Sequence, residues 1–145
     1  MTGTRNGSMS FELRDHTADV AVAASAPSLS GLFAAVADGL AAAGCEEIPD
    51  AGGERFPVEV RAEGVEALLF DYLDQLVYER DVRAVLPVDN EAEVRDEGTE
   101  WALSGSARGV PLGDVDAREV KAVTYSEMRV AETADGWEAY VVFDV

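Results

Sequence analysis

FELRDHTADVAVAAS, residues 11–25, reads as two strands meeting at a polar hinge. SFELRD and ADVAVAASA (18–26) alternate with the two-residue period of half-buried strands. Between them Asp15, His16, Thr17 and Asp19 fall within five residues, and His16 is the sole histidine of the chain.

Pro27 and Ser28 open a helix with Ser28 as N-cap, and Leu29, Leu32, Phe33, Val36 and Leu40 recur at helical spacing up to Gly44. FPVEVRA (56–62) alternates as a strand. A second amphipathic helix comes after Gly64, with Leu68, Leu69, Tyr72, Leu73, Leu76 and Val77 on its buried side. VRAVLPVD and EAEVRDE form a candidate hairpin turning near Asp89-Asn90. WALSGSARG, VKAVTYSEMRVAE and GWEAYVVFDV continue the β pattern, with a turn at ADG (134–136). GVPLGDVDARE (109–119) reads as a long polar loop of the kind that often carries function. The order ββαβα, then five or six strands, predicts a two-layer α+β fold. Two amphipathic helices pack on one face of a mainly antiparallel sheet. Residues 1–8 are expected to be a disordered tail, and 9–145 a single domain.

Of the 145 residues 48% are apolar, enough to bury a core, and no run approaches the ~20 apolar residues of a membrane span. The first ten residues lack the apolar segment of a signal peptide. One cysteine, Cys45, excludes an internal disulfide and fits a reducing cytoplasm. Eleven basic residues face twenty-nine acidic ones, a formal net charge of −18. Nucleic-acid affinity rests on Lys and Arg displacing counterions, so direct RNA or DNA binding is not expected. The acidity suits either a basic protein partner or a whole-surface adaptation to high cytoplasmic salt. The even spread of acids and the near absence of lysine favour the second.

Three places carry chemistry. Asp144 stands near the end of the last strand, beside the terminal carboxylate of Val145, and such groups repel unless a cation lies between them. Asp19 shares a strand face with the small Ala21 and Ala23. Lys121 is the single lysine among eleven basic residues, and a compact ammonium suits a narrow anionic site. One histidine and one cysteine are too few for zinc. A metal here would have carboxylate and carbonyl ligands, which suit Ca²⁺, Mg²⁺ or Mn²⁺, and His16 would then orient Asp15 or Asp19 through a ring N–H. Each has a plainer reading: a solvated strand end, a histidine bracing the hinge, a surface lysine. No serine sits in a nucleophile context and no nucleotide-binding glycine loop occurs.

DHTADV (15–20), EVKAVTY (119–125) and the C-terminal GWEAYVVFDV together resemble the archease family, from Phe11 to Val145. The resemblance implies a small cytoplasmic α+β protein that assists the RtcB-type tRNA-splicing ligase, which joins RNA ends with GTP and a divalent metal. Such a protein promotes guanylylation of the ligase, sustains its multiple turnover and broadens its nucleotide choice, without ligating RNA itself. It further implies a divalent cation, calcium in the family, on Asp19 and Asp144 with Val145 adding a ligand. Lys121 falls on the family's functional lysine, and Asp15 and His16 on its hinge motif. The family usually reads TYH where this chain has TYS, so Ser126 replaces an imidazole with a hydroxyl. The hinge reads DVAV where DVGI is common.

The competing reading is a small metal-dependent phosphoester hydrolase, with Asp19 and Asp144 around Mg²⁺ or Mn²⁺. Against it, two acidic side chains are few for a two-metal site and no general base stands out. A third is a binding module whose carboxylates only brace the hinge.

Overall fold

A computed structural model describes residues 10–15 and 19–145, the side chains of Arg14 and Asp15 excepted. The expected N-terminal tail and His16 lie outside the described residues. The elements are β1 (Ser10–Asp15), β2 (Asp19–Ala26), α1 (Leu29–Gly44), β3 (Glu54–Ala62), α2 (Val65–Arg83), β4 (Val85–Asp96), β5 (Trp101–Pro111), β6 (Ala122–Thr133) and β7 (Gly136–Asp144). The class is α+β and every strand pairing is antiparallel.

The strands divide between two sheets, β1-β2-β7-β6 and β3-β5-β4, where one sheet was the simplest expectation. The reason is edge occupancy. A strand has two edges, and those of β2 are taken by β1 and β7, so β3 has to find other partners. The helices then join the sheets. α1 packs on β2 and β4, and α2 on β3 and β6, so one core draws Val22, Phe33, Val36, Val58, Leu69, Leu73 and Phe143 from both layers.

Local chemistry explains the helix ends. Ser28 Oγ accepts the Gly31 N–H at 3.0 Å, which satisfies one of the unpaired donors of the first turn of α1. Alanine-rich α1 buries 11 of its 16 residues, because it lies between strands of both sheets. At Gly39 the helix meets β2 so closely that an added Cβ would stand 2.5 Å from Val22 Cγ1. α2 buries the six side chains its periodicity selects, Leu68 to Val77, and ends at Ala84 in the left-handed region, φ 54°.

The hairpin expected at Asp89-Asn90 is instead one strand, β4, with a bulge between Val88 and Glu91. Asp-Asn is turn chemistry, because both residues tolerate positive φ. Here Asp89, at φ 47°, uses that freedom to kink the strand without reversing it. Tertiary bonds hold the kink. Asn90 is buried, and its backbone N–H and Nδ2 both donate to Asp38 Oδ1 on α1, at 3.0 and 2.9 Å. Arg108 Nε donates to Asp89 Oδ2 at 2.7 Å.

The expected polar loop after Gly109 is partly ordered structure. It finishes β5, makes a single 3₁₀ turn at Leu112–Asp114, and is then strapped to the end of α1. The Arg118 backbone N–H donates to Gly44 O at 2.7 Å and its Nε to Ala43 O at 2.8 Å. Those carbonyls belong to the last turn of a helix that has no basic residue of its own there.

Candidate functional site

Asp19, Lys121 and Asp144 converge on one end of the four-stranded sheet. Asp19 is the first residue of β2 and Asp144 the last of β7, and they pair directly across the ladder. Ala122, the first residue of β6, pairs with Asp144 from the other side. The Lys121 N–H donates to the Asp144 carbonyl at 2.8 Å, so the lysine backbone is tied to the same point. Residues directly opposite in an antiparallel pair project side chains to the same face. Asp19, Asp144 and the small Ala122 therefore share a face, while Val20 and Phe143, one step along, are buried in the core.

Asp19 Oδ1 is buried, whereas Asp144 and Lys121 are exposed. Two carboxylates opposite each other repel, and a cation relieves that repulsion. The donor chemistry of the two carboxylates fits a hard cation. Thr124 lies two residues beyond Ala122, on the same face by strand alternation. Its Oγ1 is buried without a hydrogen-bond partner among the described residues, so it offers a neutral oxygen close by. Among the described residues no three of His, Cys, Asp and Glu gather into a metal-binding group. Asp15 pairs with Val20 in the β1–β2 ladder. Val145 comes directly after Asp144 and packs against the core.

Sequence reasoning passed over Thr124, because a threonine in a strand normally reports only β propensity. Its signal was the register with Val142, which no linear spacing reveals. Ser126 sits in an irregular stretch of β6, where the register slips between Thr124 and Arg129 and Glu127 adopts φ 59°. Tyr125, at the start of that stretch, stacks on Phe70 of α2 with ring centroids 4.0 Å apart and planes within 3°. Burial, with the charges of Asp71 and Glu66, pushes the Tyr125 phenol up.

Beside β2 on the core side, a groove of about 720 Å³ runs between the end of α1 and the 114–118 segment. Leu13, Val20, Glu46, Glu47, Asp116 and Arg118 are among its lining residues. Among the described residues no helix is long and apolar enough to cross a membrane.

A compact α+β protein whose strand ends bring two aspartates and a lysine segment together is the class these observations define. Residues 11–145 match the Archease protein family (MTH1598/TM1083), and the chain belongs to that family. It is 35% identical over 141 residues to protein archease of Thermococcus gammatolerans, covering 93% of this chain and 98% of the relative. To protein archease of Methanosarcina barkeri it is 29% identical over 143 residues, covering 93% and 95%. The solution structure of Methanobacterium thermoautotrophicum protein 1598 superposes with a TM-score of 0.80 at 26% identity, over 95% of this chain and 99% of that one. A Thermotoga maritima crystal structure, described as an archease and possible chaperone, has the same fold, with a TM-score of 0.60 at 23% identity over 91% and 94%.

Proposed function

We propose that this chain is a protein cofactor of an RtcB-type tRNA-splicing ligase. It promotes guanylylation of the ligase so that the enzyme turns over repeatedly, and it widens the choice of nucleotide. It performs no ligation itself, and its work belongs to the cytoplasm. Membership of the archease family supports the reading, and the description of a family member as a possible chaperone suits an assisting role. The observation that carries it is the juxtaposition of Asp19, Asp144 and Lys121 at one sheet end.

In this reading Asp19 and Asp144, with Val145 adding an oxygen, hold a divalent cation, calcium first and magnesium or manganese as alternatives. The cation supplies positive charge that neutralises the paired carboxylates. Lys121 meets an anionic group at the guanylylation centre of the ligase. Asp15 and His16 complete the hinge around Asp19. The high negative charge directs the protein to a basic partner surface and away from RNA.

The test is multiple-turnover guanylylation of the cognate ligase, with and without the protein. Activation by the wild type, lost in Asp19→Ala and in Lys121→Ala, is the expected result. A ligase that turns over equally well alone, or full activation by Asp19→Ala, overturns the reading. Phosphoester hydrolysis by the protein alone, dependent on Asp19, would establish the hydrolase reading in its place.

A further inference from the structure

Tyr78, Val82 and Tyr125 are the large hydrophobic residues exposed among those described, at 57, 62 and 56%. They gather on one side of the molecule. Tyr78 and Val82 lie on the outer face of α2, and Tyr125 is stacked on Phe70 of the same helix. At 3.6 residues per turn, positions 70, 71, 74, 78 and 82 fall within an arc of about 120°. Asp71 and Asp74 in that arc are exposed. The two arginines of α2 are engaged by the protein itself. Arg80 donates to Arg118 O at 3.1 Å, while Arg83 lies 4.5 Å over the Phe56 ring and donates to Glu79. The outer arc thus presents aromatic rings and carboxylates without a cation.

We infer that the Phe70–Tyr125 stack, flanked by Glu66 and Asp71, is a docking platform for an arginine of a basic segment on the partner protein. A planar guanidinium covers an aromatic face and donates to a neighbouring carboxylate at the same time. An RNA base would also stack on Tyr125, but its phosphates would meet Glu66, Asp71 and Asp74, which disfavours RNA. A purely apolar partner would desolvate those carboxylates without supplying a counter-charge. Tyr125 stands at the start of the β6 register shift, on the side of the strand where α2 packs. The platform rests on the proposed ligase role for the identity of the partner, but its chemistry can be tested separately.

The experiment has two arms. In the first, isotope-labelled full-length protein is titrated with acetyl-arginine amide and followed by NMR. Shifts centred on the amides of Phe70, Asp71 and Tyr125, absent in Tyr125→Ala, are expected. Shifts spread evenly over the acidic surface, or tighter binding of a uridine oligonucleotide at this face, overturn the platform. In the second, binding to the cognate ligase is measured. Tyr125→Ala should weaken it about tenfold, in line with loss of one partly desolvated cation–π contact. Tyr125→Phe should restore it, and Asp71→Asn should flatten its salt dependence. Binding of Tyr125→Ala equal to wild type overturns the platform while the ligase role stands. A wild-type protein that does not bind the ligase overturns the role, and the arginine titration then decides the platform alone.

Discussion

Asp19 and Asp144, from opposite ends of the chain, are direct partners across the β2–β7 ladder. Antiparallel register thus places two like charges on one face of the sheet, where a cation would be drawn to them.

Millimolar calcium should raise the melting temperature of the wild type if the two acids hold the cation. Asp19→Asn keeps the shape of the side chain but removes one of the two opposed charges, so this rise should be lost. Thermal denaturation in chelator and in calcium checks it. A calcium-dependent rise that survives in Asp19→Asn would remove Asp19 from the cation site.

Asp38 offers a test by pH. Burial raises its pKa, with the two Asn90 hydrogen bonds pulling the other way. A folded-state value above the unfolded one means that the folded protein holds the proton more tightly. The associated stability is present below the unfolded value and is lost as pH rises through the folded one. Asp38→Asn keeps an oxygen acceptor for Asn90 and cannot ionise. Its stability relative to wild type should therefore climb as pH rises from about 4, as read by urea denaturation of the two proteins side by side. Asp38→Ala leaves the Asn90 backbone N–H without its acceptor and the amide with only a long bond to Pro87 O at 3.5 Å. It should cost ~1–3 kcal/mol at about pH 4 and less as pH rises, by the same linkage.

Gly39 should be intolerant of alanine despite its place inside a helix. Alanine favours the helix by about 1 kcal/mol, but the new Cβ would meet Val22 Cγ1 at 2.5 Å. Val22 is fully buried and β-branched, so it has little room to turn. Overpacking of this kind costs ~1–3 kcal/mol. A denaturant midpoint below that of the wild type is expected.

Arg118 ties the segment before Lys121 to the last turn of α1. Arg118→Ala should cost about 1 kcal/mol for the lost side-chain bond. It should also speed hydrogen exchange at the Lys121 amide, whose acceptor is Asp144 O. An exchange rate equal to wild type would show that Lys121 is held by the sheet alone.

The helices were legible because their buried positions repeat within the reach of one element. The Leu68–Val77 series selects the buried face of α2, and Ser28 marks where α1 begins. Asp89-Asn90 was misleading because positive φ serves both a turn and a bulge. The choice was made by Asp38, a residue on another element. Tyr125 gave no linear sign of its contact with Phe70, since the two belong to elements that only tertiary packing brings together. Thr124 joined the site for the same reason.

Composition and periodicity by themselves determined the α+β class, the helix faces and the acidic surface. These are properties of neighbouring residues, set by side-chain chemistry over one or two turns. The division into two sheets, the strand bulges, the meeting of Asp19 with Asp144 and Lys121, and the aromatic platform on α2 were decided only by tertiary structure. Each depends on which strand edges remain free and on the register in which distant strands pair, and a linear pattern carries neither.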